Sequence, residues 1–357
     1  MQVVKDFFEN NNIHSKKIAV GVSGGADSLA LVLMLKEELK DTQIIALTVD
    51  HGLRPTSKDE ALYVKKIMDD YEIEHHILSW EGDKPKIGIE EQARIARYNL
   101  LTEWCKTNDV NYLCIAHHIL DQAETFLMRL ERGSGVFGLS SMKEISDRNG
   151  IFILRPLLKY NPCYMKDYLK NKNISWVNDE SNDCDDFLRV RMRKFLPILD
   201  SKTGISAERI YKAVENLQRT RSFLEYSVNL TIENHTVCWN NIAYSFDYSK
   251  FLLWHNEVSF HLIGKIIKEL SESYYTPESD ILLKLLNNMR KKDFESFTLG
   301  GCIILKDNLK IWIIKEYRDK SFSYTTTDWN NFIKQNPIFR GIKFPHKLKI
   351  ALLREKK

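Results

Sequence analysis

Ser23-Gly24-Gly25-Ala26-Asp27-Ser28 joins an apolar run, Lys17 to Val22, to a helical run, Leu29 to Leu39. Two adjacent glycines let backbone N–H groups curl around an anion, and the helix that follows aims its positive end at the same point. The spacing predicts a phosphate cradle; the competing reading is an ordinary strand-to-helix turn. A Walker loop would end in Lys followed by Ser or Thr, whereas Asp27 and Ser28 stand here. A carboxylate beside a bound triphosphate calls for a Mg²⁺ bridge, because two unscreened anions repel, so Asp27 is the candidate magnesium ligand.

Five more clusters carry groups suited to chemistry. They are Asp50-His51-Gly52-Leu53-Arg54, Ala93 to Tyr98, Ala116 to Thr125, Arg132 to Leu139, and Asp179-Glu180-Ser181-Asn182 with Arg189, Arg191, Arg193 and Lys194 behind it. Asp121 and Glu124, at i and i+3, share a helix face with Thr125 one turn on from Asp121; the bland alternative is a solvated acidic face. His117 and His118 would point about 100° apart on a helix, which argues against a shared zinc ion. Arg97 and Arg132 suit phosphate oxygens with their guanidinium forks, or else pair with Glu91 and Glu131 at the surface. Arginines two apart face different sides, so at most two of Arg189, Arg191 and Arg193 meet one ligand. Asp50 and His51 fall at a strand end, near a nucleotide or as a simple cap.

The elements that must position these groups alternate through the first 200 residues. β-rich runs at Lys17 to Ser23, Ile44 to Asp50, Glu74 to Trp80, Tyr112 to His118 and Ile151 to Leu158 are separated by helical runs at 29–39, 58–71, 88–106 and 122–130. This pattern predicts an α/β domain with a doubly wound parallel sheet, whose ligands sit at the carboxyl ends of strands. After Pro197 the pattern turns helical: Ala207 to Glu233, Val258 to Leu270 and Pro277 to Met289. A hairpin is expected from Phe297 to Leu305 and Leu309 to Lys315, turning at Lys306-Asp307-Asn308. The expected domains are 1–203 (catalytic), 204–320 (helical, ending in the hairpin) and 321–357, a basic segment read as a truncated or divergent extra domain.

The chain has 357 residues, enough for two or three domains. No apolar stretch approaches the roughly 20 residues that span a bilayer. Residues 1–17 lack the apolar centre of a signal peptide, so a cytoplasmic location and no membrane partner are expected. Six dispersed cysteines include no CxxC pair, which suits free thiols in a reducing compartment. Residues 1–200 hold 27 Lys and Arg against 31 Asp and Glu, whereas residues 201–357 hold 25 against 17. The basic C-terminal part fits a polyanionic partner, or is merely solvated surface.

Taken in order, the SGGADS loop, HGLR, the AHH and DQAET runs and RGSG closely resemble the tRNA(Ile)-lysidine synthetases, a subfamily of the N-type ATP pyrophosphatases, or PP-loop enzymes. The resemblance covers residues 15 to 200 motif by motif. It implies ATP-dependent adenylation of the C2 oxygen of the wobble cytidine in a CAU anticodon, then displacement of AMP by the side-chain amine of free L-lysine. The implied cofactors are ATP and Mg²⁺, and the implied partners are tRNA(Ile) and lysine, with a homodimer as an open possibility. Ser23 to Ser28, Asp50 and His51 would bind the nucleotide; Asp121 and Glu124 would contact the lysine; Asp27, Arg97 and Arg132 would join them in catalysis. Arg189, Arg191, Arg193 and Lys194 would meet tRNA phosphate or the reactive intermediate. Leu120 stands where the family commonly has Asp, and Val190 where it often has Asn. Thr298-Leu299-Gly300-Gly301 resembles the end of the family's tRNA-docking domain. The alternative is another PP-loop tRNA-modifying enzyme such as a thiolase, which usually needs paired cysteines.

Overall fold

Along Lys17–Gly21 the side chains alternate between two apolar surfaces, Ile18 and Val20 on one, Ala19 on the other. That period of two, repeated in the neighbouring strand, requires a sheet covered on both faces. The computed structural model describes residues 2–52, 57–82, 88–177, 188–273, 275–317 and 323–355. Packing divides the chain into two units, Met1–Thr220 and Arg221–Lys357.

The first unit runs α1 (Val3–Asn10), β1 (Lys17–Gly21), α2 (Ala26–Glu38), β2 (Gln43–Asp50), α3 (Ser57–Asp70), β3 (Glu74–Ser79), α4 (Ile89–Thr107) and β4 (Tyr112–Cys114). It continues with α5 (Ile119–Glu131), α6 (Val136–Leu139), β5 (Ile145–Arg148), β6 (Ile151–Leu154), α7 (Pro162–Asn171), α8 (Leu188–Thr203) and the start of α9 (Ala207–His235). The sheet order is β3-β2-β1-β4-β6-β5, parallel except for β5. Strand order reverses at β1 and β4, so the crevice beyond their carboxyl ends is where such a sheet takes ligands. Leu29 to Leu35 of α2 are buried without a polar face, because the sheet covers one side and the core shared with α1 and α7 the other. Tyr98, Leu101 and Cys105 of α4 cover the opposite face of the sheet.

In the second unit, β7 (Thr236–Trp239), β8 (Ala243–Asp247), β9 (Ser296–Leu299), β10 (Cys302–Asp307) and β11 (Lys310–Lys315) form an antiparallel sheet of order β7-β8-β11-β10-β9. Ile311 and Ile313 pack towards α11 (Asn256–Leu270) and α12 (Ser279–Met289), which follow the short α10 (Tyr248–Leu253). Trp312 and Ile314 pack towards α13 (Thr326–Gln335) and α14 (His346–Arg354). The hairpin anticipated from the sequence is therefore the centre of a five-stranded sheet. The run 297–305 breaks into two strands because Gly300 and Gly301 take φ of +57° and +74°, turning the chain back on itself. Among the described residues, no helix is long and apolar enough to cross a membrane.

Candidate active site at the carboxyl ends of β1 and β4

The glycine loop leaves β1 and enters α2 through Gly25, the N-cap. Ser28 Oγ ties it together, donating to Gly25 O at 3.0 Å and accepting from Ser23 N at 3.1 Å. Gly24 takes φ +83°, and a Cβ there would lie 3.2 Å from Val64 Cγ2 and 3.4 Å from Val177 Cγ2. Its carbonyl accepts from Val177 N at 3.0 Å. Glycine is needed at that position both for the left-handed backbone and for the close approach of two neighbours.

Asp27 lies in the first turn of α2. Its Oδ1 is buried and has no hydrogen-bond partner among the described residues. Burial raises its carboxyl above the ordinary range, against the pull of His118. An unmatched buried carboxylate oxygen in the first helical turn after a phosphate-type loop fits a hard cation that takes one or two carboxylates and completes its shell with phosphate oxygens and water.

His118 joins this loop to the acid pair. It caps α5, its Nδ1 accepting from Asp121 N at 3.4 Å while Asp121 Oδ2 accepts from His118 N at 2.9 Å. With the Nδ1 lone pair so used, the ring proton belongs on Nε2, which lies 3.6 Å from Asp27 Oδ2. The helix begins at Ile119, three residues before the start anticipated from the sequence, because this imidazole caps it. Burial raises the Asp121 carboxyl, but His118, Arg189, His117 and the His118 N–H outweigh it and hold it down at about 2.

Glu124 is fully buried, and its carboxylate is gripped from α8. Arg189 donates through Nε to Glu124 Oε2 at 2.7 Å and through Nη2 to Asp121 Oδ1 at 2.7 Å; Arg193 donates through Nε to Glu124 Oε1 at 2.6 Å. Arg189 and Arg193, one helical turn apart, share this face, whereas Arg191 and Lys194 are exposed. Two of the arginines thus meet one partner, and in this structure that partner is the acid pair. Thr125 Oγ1 donates to Asp121 O at 2.7 Å. Among the described residues, no group of three or more His, Cys, Asp or Glu is arranged to hold a metal ion.

Asp50 ends β2, and its Oδ1 accepts from Gly52 N at 2.9 Å. Burial opposes ionisation, but that N–H and the Ser57 hydroxyl hold the carboxyl below its usual range. His51 meets Trp80 edge to face at 6.0 Å. Arg97 Nη2 lies 3.6 Å from where a Gly21 Cβ would stand, which puts the guanidinium over the end of β1, and burial lowers its pKa. Arg132 is exposed at the C-cap of α5, and among the described residues no contact gathers it into the cluster. Leu53, Arg54 and the run Asp179 to Asn182 lie outside the described residues.

Arg155 and the two ring contacts of His118 escaped the sequence reading. Arg155 follows β6 directly, and its Nε donates to His117 Nδ1 at 3.2 Å. Its signal was a lone charge at the end of an apolar strand, hidden by running that strand on to Leu158.

Residues 1–199 match the family model described as a PP-loop domain. The chain is 37% identical over 318 residues to a protein named tRNA(Ile)-lysidine synthase from Wolbachia sp. subsp. Brugia malayi, covering 87% of this chain and 73% of that one. A protein of the same name from Wolbachia pipientis wMel is 39% identical over 309 residues, covering 85% and 71%. Among solved structures, a U34-tRNA thiolase from Methanococcus maripaludis aligns with a TM-score of 0.52 at 19% identity, over 60% of this chain and 76% of that one, which is a likeness of fold.

Proposed function

The chain belongs to the tRNA(Ile)-lysidine synthases of the PP-loop family, and we propose that its glycine loop and its buried acid cluster carry the two halves of one ligation. ATP adenylates the C2 oxygen of the wobble cytidine of tRNA(Ile), and the ε-amine of lysine then forms the C–N bond as AMP leaves. The observation that carries this reading is His118, whose two ring nitrogens reach Asp27 of the phosphate loop and Asp121 of the acid pair. Both half-reactions then act on a cytidine that need not move between sites.

Ser23 to Ser28 bind the pyrophosphate end of ATP through loop N–H groups and the start of α2. Asp27 is the residue that would hold Mg²⁺, which when bound supplies positive charge against the charge developing on the leaving pyrophosphate. Arg97, over the end of β1, and Asp50 and His51, at the end of β2, line the nucleotide side. Arg132, exposed beyond α5, is the clamp that only bound substrate would recruit.

The second half-reaction needs a neutral amine. A free lysine side chain has a pKa of about 10.4, so fewer than about one molecule in a thousand is neutral at pH 7. Asp121 and Glu124 offer carboxylate oxygens to the amine, and Arg189 and Arg193 cancel their negative charge. An ammonium beside two guanidinium groups is disfavoured relative to the amine, so the same cluster recognises the nucleophile and promotes its deprotonation. Exposed Arg191 and Lys194 suit tRNA phosphate. A thiolase reading has less support, since the named relatives are lysidine synthases and the thiolase likeness is one of fold.

The test is incubation of the purified chain with ATP, Mg²⁺, labelled lysine and a CAU-anticodon tRNA(Ile) transcript. Label should enter the tRNA; AMP formation with no lysine in the tRNA would point to another adenylating enzyme.

A further inference from the structure

Arg155 is 8% exposed, and among the described residues no carboxylate pairs with it. Its Nη1 donates to Lys143 O at 2.8 Å and Ser146 Oγ at 2.9 Å, and its Nε to His117 Nδ1 at 3.2 Å. A guanidinium only donates, so Nδ1 must present its lone pair and the proton of a neutral ring must sit on Nε2. No described residue hydrogen-bonds to that nitrogen. The charged groups facing the ring are Asp121 from α5, Arg155 beyond β6, Arg189 from α8 and Arg97 from α4. Burial and three guanidinium groups keep the ring neutral against one carboxylate.

We propose that His117 is a catalytic hydrogen-bond donor, through Nε2–H, to an anionic oxygen of the phosphoryl group transferred during adenylation, and that Arg155 is the positioning residue that fixes its tautomer. The inference rests on the ligase reading above. With Nδ1 occupied by Arg155, the ring has no lone pair left to act as a base. What it offers is one fixed N–H among three arginines, which favour an anion. Its place directly after β4, beside the strand that carries the glycine loop, puts it on the adenylation side.

The tautomer is tested without substitution: ¹⁵N-histidine NMR of the full chain should show His117 Nδ1 unprotonated from about pH 5.5 to 8, and a protonated Nδ1 overturns the proposal. Transfer of AMP to tRNA, measured without lysine, then tests the roles. His117→Ala should slow it about 10²-fold with KM for ATP within about threefold. His117→Gln, whose amide N–H replaces Nε2–H, should recover most of that loss. In Arg155→Met the same ¹⁵N spectra should show part of His117 protonated at Nδ1, because no donor then holds that lone pair, and Arg155→Lys should return the ring to the Nε2–H tautomer. Equal losses for His117→Ala and His117→Gln, or an Arg155→Met protein whose His117 Nδ1 stays unprotonated, would overturn the roles. Wild-type protein that adenylates no tRNA would sink the ligase reading instead, with the NMR result unaffected.

Discussion

Replacing Glu124 with Gln keeps the shape of a fully buried side chain and removes its charge. Three guanidinium contacts reach the carboxylate, at 2.7, 2.6 and 3.5 Å. Gln retains one acceptor oxygen and turns an N–H₂ towards the other arginine, so one short charge-assisted bond is lost. Such a bond is worth about 1.5–3 kcal/mol. Arg189 and Arg193 are 34% and 38% exposed and can turn to water, which puts the loss near 2 kcal/mol rather than the larger penalty of a closed buried pair. For a unit of this size, that lowers Tm by about 4–8 °C. If Glu124 contacts the amine, kcat/KM for lysine should fall about 10- to 100-fold, while lysine-independent pyrophosphate release stays within about threefold of wild type. Thermal melts and the two half-reactions, assayed separately, measure all three quantities. Equal loss of both half-reactions would refute the assignment of Glu124 to the amine.

Asp121 titrates at about 2 in the folded state, below the ordinary 3.8, so it binds its proton less tightly folded than unfolded. Its contribution, on the order of 2 kcal/mol, is complete above about pH 4 and fades as the pH falls towards 2; the Tm gap between wild type and Asp121→Asn should narrow over that range, and a constant gap would contradict it. Gly24→Ala, forced to φ +83° against Val64 and Val177, should cost about 1–3 kcal/mol and raise KM for ATP, with an unchanged melt and KM as the opposing result. Asp27→Asn should slow pyrophosphate release at least about 10²-fold at saturating Mg²⁺; wild-type rates would remove Asp27 from the metal site. Arg191→Gln and Lys194→Gln should each flatten the salt dependence of tRNA binding by about one unit of slope, and no change would place those residues away from phosphate.

The parallel sheet was legible because β1 and β2 carry uninterrupted apolar runs, and α2 was legible because a strand and two glycines precede it. The acid pair was legible because Asp121 and Glu124 share a face in any helix that holds them both. What pairs with them was not, since Arg189 lies 68 residues from Asp121 and only tertiary packing of α8 on α5 brings the two together. The His118 cap escaped because imidazole is an uncommon N-cap, and the Arg155 contact because the charge fell inside an apparent strand. In the second unit, β7 and β8 escaped because they are only 4 and 5 residues long and follow directly on the helical run that ends at Glu233, and because Asn240 and Asn241, with φ of +51° and +56°, turn the hairpin with no glycine to mark it.

In the proposed function, adenylation and lysine attack share one site on one activated cytidine. Incubating the chain with α-labelled ATP and tRNA(Ile) in the absence of lysine should place the label on the tRNA as an AMP ester. Adding lysine should then release AMP from that tRNA, one molecule for each lysine that enters it. Label found on the carboxyl group of lysine instead, or adenylated tRNA that keeps its AMP when lysine is added, would contradict the account.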